Sequence, residues 1–211
     1  MVSKKLSTVV LDLDNTLIYT ASDGQLLSCG NGVSSTNIGS SNIASGNSKG
    51  VSSNSNTAIS NNNKPYDYSF FINEPHYSNY FGYFRPYMVD FLRLLPDYFD
   101  QIIVWSAGTT DYVNYICYFV FSTVGYVPNI ILARDSCVKL ANGKFSKPLN
   151  RIFSDFHADP NRTFLIDDSK FSMEPNYSSN CMLVEQPYNG ELDDCYLRDV
   201  LIPWLRATVA G

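Results

Sequence analysis

The chain has 211 residues, 45% of them hydrophobic and 17% charged, with a formal net charge of −5. That is enough chain and enough apolar side chain for one domain with a full core. The acidic balance argues against direct binding to DNA or RNA, which needs a basic face, but leaves room for a small basic pocket.

Five cysteines, Cys29, Cys117, Cys137, Cys181 and Cys195, are odd in number and none stands in a Cys-x-x-Cys pair. They read as reduced thiols of a nuclear or cytoplasmic protein, not as a disulfide frame or zinc site. His76 and His157 are isolated, which disfavours a histidine-based metal centre. The apolar run after Lys4-Lys5 meets Asp12 and Asp14 too early for a signal peptide, and no stretch is long enough to span a membrane.

In chain order, Val9-Val10-Leu11 is a short β-branched run that reads as a buried parallel strand ending in Asp12-Leu13-Asp14-Asn15-Thr16. Side chains alternate along a strand, so Asp12 and Asp14 leave it on the same side. Two such carboxylates repel each other unless a cation sits between them or one is protonated. A divalent hard metal with oxygen ligands suits them; an acidic turn is the plainer alternative. From about 28 to 63 the composition collapses to Ser, Asn and Gly, too poor in apolar surface to offset chain entropy, and is expected to be a disordered insertion into a single domain spanning 1–211.

Tyr68 to Ile72 and Tyr80 to Phe84 read as two short antiparallel strands. Arg85-Pro86 opens a helix with an apolar stripe of Met88, Phe91, Leu92 and Leu95, closed by Pro96-Asp97. Gln101 to Trp105 is a second buried strand, leading through Ser106 to a helix capped by Thr109 or Thr110, with Tyr112, Ile116, Phe119 and Val120 on its apolar face. A short strand over Asn129 to Ala133 follows, then a hairpin turning at Asn142-Gly143 and a helical segment to Phe156. Thr163 to Ile166 is a third core strand, ending in Asp167-Asp168-Ser169, and Cys181 to Val184 a fourth. Asp193-Asp194 would open a last helix, where acidic side chains suit the helix dipole.

Strands alternating with helices predict an α/β fold with a mostly parallel sheet, whose ligands bind at the carboxyl ends of the strands. Asp12, Asp14, Ser106, Asp167 and Asp168 all fall at such ends.

These residues resemble the four motifs of the haloacid dehalogenase superfamily of phosphotransferases: Asp12 to Leu17, Val104 to Gly108, Lys147, and Leu165 to Ser169. Arg85-Pro86 with Asp90-Phe91-Leu92, the Trp105-Ser106-Ala107 form of the second motif, Arg134 to Val138 and Lys147 to Arg151 are similar to the small carboxy-terminal-domain phosphatases that act on RNA polymerase II. Asn15 departs from the commoner acidic residue, and the Ser/Asn-rich insertion is foreign to the group.

The resemblance implies a three-layer, Rossmann-like haloacid dehalogenase fold with small β-hairpin insertions and no large cap domain. It implies a Mg2+-dependent phosphatase for phosphoserine or phosphothreonine in a protein or peptide, with an RNA polymerase II tail as the model substrate. Asp12 would be the nucleophile and Asp14 the general acid and base. Magnesium would bind Asp12, the Asp14 backbone carbonyl and Asp168, with Asp167 orienting that shell or Lys147. Ser106, Lys147, Thr16 and Arg134 would contact the substrate. Phe70, Phe71, Tyr83 and Phe84 would be ordinary packing or a proline-accepting pocket. Two other readings compete: a small-molecule phosphatase, disfavoured by the lack of an inserted lid, and an inert binding or scaffold relative, disfavoured because Asp12 and Asp14 are both present.

Overall fold

The structure is a computed structural model and describes residues 6–22, 66–72, 78–174 and 176–209. The Ser/Asn/Gly-rich insertion expected at 28–63, Cys29 and His76 lie outside the described residues. The described strands are, in chain order, β1 Leu6–Leu11, β2 Ile18–Ser22, β3 Tyr68–Ile72, β4 Ser78–Phe84, β5 Gln101–Trp105, β6 Ile130–Leu132, β7 Val138–Lys139, β8 Phe145–Ser146, β9 Ala158–Asp167 and β10 Cys181–Leu183. The α-helices are α1 Met88–Tyr98, α2 Thr110–Ser122, α3 Asn150–Asp155, α4 Lys170–Met173 and α5 Ile202–Val209, the last entered through a π-helical stretch, Leu197–Leu201.

Strand β1 is the middle of a five-stranded sheet in the order β10-β9-β1-β5-β6, parallel throughout. The period-two alternation of its strands builds two cores. Val9, Leu11, Ile102, Val104, Phe164 and Ile166 face α1, α2 and the C-terminal helices. Val10, Ile103, Trp105 and Leu165 face the other way, onto Leu149 and Ile152. Covering on both faces is why these strands are apolar at consecutive positions. A second, antiparallel sheet, β2-β4-β3, and the β7-β8 hairpin stand at the carboxyl-end side of the parallel sheet and supply residues to the same cleft. No large cap domain is present among the described residues. The α/β fold with small β insertions matches the expectation.

Three elements differ from the sequence reading. Helix α1 does not stop at Pro96 but runs through it to Tyr98. A proline here removes the amide that would bond to the carbonyl of Leu92. The Tyr126 hydroxyl donates to that carbonyl instead, at 2.7 Å, so the break is repaired from another element. Thr109 stands at the N-cap of α2 but makes no side-chain cap, and the buried face of α2 is Val113, Ile116, Cys117, Val120 and Phe121. Asp194 does not serve the last helix as a dipole partner in its first turn; it is buried against Arg85. Among the described residues the cysteines are free, and no helix is long and apolar enough to cross a membrane.

Candidate active site

The ladder that joins β1 to β9 and β5 brings the acidic ends of β1 and β9 side by side. Asp12 extends that ladder, its amide donating to the Ile166 carbonyl at 3.0 Å. Ligand oxygens of Asp12, Asp167 and Asp168 lie within 4.8 Å of one another. Lys147 enters from the chain that follows the β7-β8 hairpin, held by its amide on the Ser172 carbonyl at 2.9 Å. Its Nζ donates to Asp12 Oδ1 and to Asp167 Oδ2, each at 2.6 Å.

This lysine is 1% exposed. Burial alone would depress its ammonium, but the two carboxylates override that and hold it above its usual range. Burial raises the Asp12 carboxyl well above its usual value, against the pull of Lys147 and with the push of Asp167. Burial, then the charge of Asp167, pushes Asp168 up to about 6. One buried cation among three clustered carboxylates leaves excess negative charge.

Asp14 follows two residues after Asp12 but does not join the carboxylate cluster. Its Oδ1 instead accepts from the Tyr112 hydroxyl, at the start of α2. Burial raises its carboxyl too. The turn between Asp14 and β2 is set by Asn15, which adopts a left-handed conformation at φ 61°. Asn15 Nδ2 donates to the Tyr188 carbonyl at 3.0 Å, and the Tyr188 amide returns a bond to the Asn15 carbonyl at 2.7 Å.

Strand β5 leads directly into Ser106, whose Oγ accepts from the Gly108 amide at 3.0 Å. That leaves the Ser106 proton free to donate. Arg134 lies beside it, its Nε donating to the Ala107 carbonyl at 2.7 Å and its guanidinium 5.5 Å from the Phe145 ring centre. Asp12, Asp14, Ser106, Arg134, Lys147, Asp167 and Asp168 all line one open cleft of about 680 Å³.

Thr16 is the expected contact that the structure does not bring there. Its side chain is fully buried and absent from the cleft lining, with no hydrogen-bond partner for Oγ1. The structure thus places its side chain away from the cleft where substrate contact was expected; its carbonyl accepts from Arg85 Nη1 at 3.1 Å, so it braces the turn. The aromatic group divides as well. Phe70 and Phe71 line a separate groove with Tyr115, Tyr118 and Phe119, whereas Tyr83 is buried and Phe84 packs on the core.

Two residues were missed by sequence reasoning. Tyr112 had the pattern of an apolar helix face, and its hydroxyl reaches Asp14 across 98 residues of chain. Lys144 follows the Asn142-Gly143 turn and lines the cleft rim; nothing in a hairpin pattern says which way its tip points.

An all-oxygen set of acids, two of them with charged forms disfavoured by burial, fits a hard divalent cation. Both Asp167 oxygens already accept hydrogen bonds, Oδ2 from Lys147 and Oδ1 from the Ser169 amide at 2.8 Å. Asp12 and Asp168 are therefore the freer donors.

A parallel sheet with paired acids at two strand ends, a buried lysine and, among the described residues, no large cap domain defines the haloacid dehalogenase class. Within it, the family model for NLI interacting factor-like phosphatases matches residues 51–210, and the chain belongs to that family. Asp12 and Asp14 precede the matched stretch and are joined to it by the fold. The fission yeast RNA polymerase II CTD phosphatase Fcp1, in a variant bound to beryllium fluoride, is 20% identical with a TM-score of 0.53, over 98% of this chain and 50% of that one. A second structure of Fcp1, described as an essential RNA polymerase II CTD phosphatase, is 21% identical with a TM-score of 0.54, over 96% and 50%. The chain thus spans about half the length of these solved structures, and at these identities the likeness is one of fold. No curated protein sequence matches the chain.

Proposed function

We propose that the chain is a magnesium-dependent protein phosphatase that hydrolyses phosphoserine and phosphothreonine, on a substrate resembling the RNA polymerase II tail. The observation that carries this reading is Lys147, bonded at 2.6 Å to both Asp12 and Asp167, with Asp168 beside them and Asp14 set apart on Tyr112. One aspartate is thereby placed against a buried ammonium and the other on a neutral hydroxyl, the division of labour that nucleophile and acid–base group require.

Asp12 attacks phosphorus, and the bond from phosphorus to the seryl or threonyl oxygen breaks with its electron pair on that oxygen. Asp14 gives the departing oxygen its proton, leaving an aspartyl-phosphate on Asp12. Asp14 then takes a proton from water, whose oxygen attacks phosphorus and releases phosphate from Asp12. Lys147 holds the Asp12 carboxylate in place and offsets its charge against an anionic substrate, and Asp167 holds Lys147. Ser106 donates to a phosphate oxygen, and Arg134 faces the substrate from the cleft wall. Asp12, Asp168 and the Asp14 carbonyl would hold the magnesium ion, which when bound neutralises charge on the phosphoryl oxygens.

The open cleft supports a protein substrate: among the described residues nothing covers it against an extended phosphorylated segment, and Arg134 and Lys144 give its wall and rim positive charge. Such a substrate suits a nuclear or cytoplasmic enzyme. The test is a panel of phosphoserine, phosphothreonine and phosphotyrosine peptides, with and without magnesium, with Asp12→Asn as control. Magnesium-dependent release from the first two, lost in Asp12→Asn, is expected. Full activity in chelator, or in Asp12→Asn, would overturn the assignment.

A further inference from the structure

We infer that Tyr112 is a positioning residue for Asp14, its hydroxyl fixing the carboxyl so that Oδ2 serves the leaving group and the attacking water. The inference rests on the phosphatase reading above. The Tyr112 hydroxyl donates to Asp14 Oδ1. A carboxylic acid held that way carries its transferable proton on the other oxygen. Both side chains line the cleft, so the group being oriented is the one that meets the substrate.

The phenol itself is not free to swing. Its ring lies 5.8 Å from Phe70 and 5.6 Å from Tyr80, in tilted and edge-on contacts. Gly108 closes a third side: a Cβ there would stand 2.5 Å from Tyr112 Cδ1. The glycine that ends the Ser106-Ala107-Gly108 turn thus has a packing reason, which is to leave room for this ring.

On the β2-β4-β3 side, Thr20 Oγ1 is 2.6 Å from the Tyr68 hydroxyl, which also reaches the Tyr19 carbonyl at 3.2 Å. Thr20 lines the same cleft as Asp14. As the donor in its bond to Asp14 Oδ1, the phenol orients Asp14 without being the group that gives up the transferred proton.

The test uses the full chain with magnesium and the variant Tyr112→Phe, which keeps the ring and removes only the hydroxyl. Single-turnover cleavage of a phosphoserine peptide is compared with the pre-steady-state burst of nitrophenolate from nitrophenyl phosphate. Serine needs a proton to leave and nitrophenolate does not. Misorienting a catalytic group costs up to ~100-fold, so the peptide rate should fall ~10- to 100-fold while the burst falls no more than about threefold. The loss should lie in kcat and not in KM. Gly108→Ala, which pushes the ring aside, should give the same split. Equal losses on both substrates, or no loss on either, would overturn the inference and leave the phosphatase reading standing. A folded wild-type protein with neither burst nor peptide turnover would overturn that reading, and this inference with it.

Discussion

Arg85 and Asp194 form a two-bonded ion pair across 109 residues of chain, Nε to Oδ1 at 2.9 Å and Nη2 to Oδ2 at 2.8 Å, with both side chains essentially without solvent contact. The same guanidinium donates to the carbonyls of Thr16 and Gln186 and lies 4.8 Å from the Tyr196 ring centre. It therefore ties the turn after Asp14, the start of α1 and the C-terminal segment into one unit. Removing one partner of such a pair leaves the other charge buried and costs about 3–5 kcal/mol. For a domain of this size Asp194→Ala should lower Tm by roughly 6–20 °C. A scan showing a loss below about 2 °C would mean that water reaches the guanidinium.

Lys147→Met removes the one cation shared by Asp12 and Asp167. Turnover should fall ~100-fold or more, as when a fixed charge partner is taken from a reacting anion. The pH dependence of stability follows from the raised carboxyl of Asp12. Between its unfolded and folded pKa values the folded state binds more protons, so stability falls as pH rises through that window. Without Lys147 the penalty grows, so in chelator the Tm deficit of Lys147→Met should be large at pH 7.5 and smaller at pH 5. A deficit independent of pH would show that the lysine acts through packing alone.

Sequence reading reached the sheet because Val9, Val10 and Leu11, buried on alternating faces, make a run that no amphipathic element makes. It pointed to Asp12 and Asp168, which the structure brings into one cluster, because ligands bind at strand ends in this class of fold. What it lost were relations between distant residues. Pro96 is an end signal unless Tyr126 happens to cover Leu92. Asp194 reads as a helix opener until Arg85 arrives from the other half of the chain. Thr16 is expected from the resemblance to contact the substrate, yet the close turn from Asp14 into β2 folds its side chain inward. For Pro96 and Asp194 local preference pointed one way and a single tertiary partner decided the other.

Asn15 has a structural role. At φ 61° it occupies the left-handed region, which asparagine tolerates better than longer side chains, and its amide donates to the Tyr188 carbonyl. Asn15→Glu loses both features and should cost about 1–2 kcal/mol in chemical denaturation. Asn15→Gly keeps the backbone and loses the amide, so its cost should be smaller. The reverse order would rule out this account of the turn.

Magnesium should raise the Tm of the wild-type protein, by an amount that grows with concentration as the ion binds the folded state alone. Asp168→Asn should remove most of that gain. Because the Asp168 carboxyl is pushed up to about 6, protons compete with the ion, and the gain should shrink as pH falls below about 6. An undiminished gain in Asp168→Asn would relocate the metal site.

The two aspartates at the end of β1 should separate cleanly by trapping. Asp12 lies in the carboxylate cluster against Lys147, so Asp12→Asn should abolish phosphoenzyme and turnover together. Asp14 is turned to Tyr112, outside that cluster, so Asp14→Asn should still show the magnesium-dependent rise in Tm. Acid–base groups contribute ~100- to 10,000-fold, so phosphopeptide turnover in Asp14→Asn should fall by that order. With nitrophenyl phosphate the first step needs no proton and should proceed, while water activation fails. An aspartyl-phosphate should then accumulate in Asp14→Asn, visible as added phosphate in the intact mass after an acid quench and mapping to Asp12. Phosphate recovered on acid-quenched Asp12→Asn, or wild-type rates for Asp14→Asn on both substrates, would reverse the assignment of nucleophile and acid.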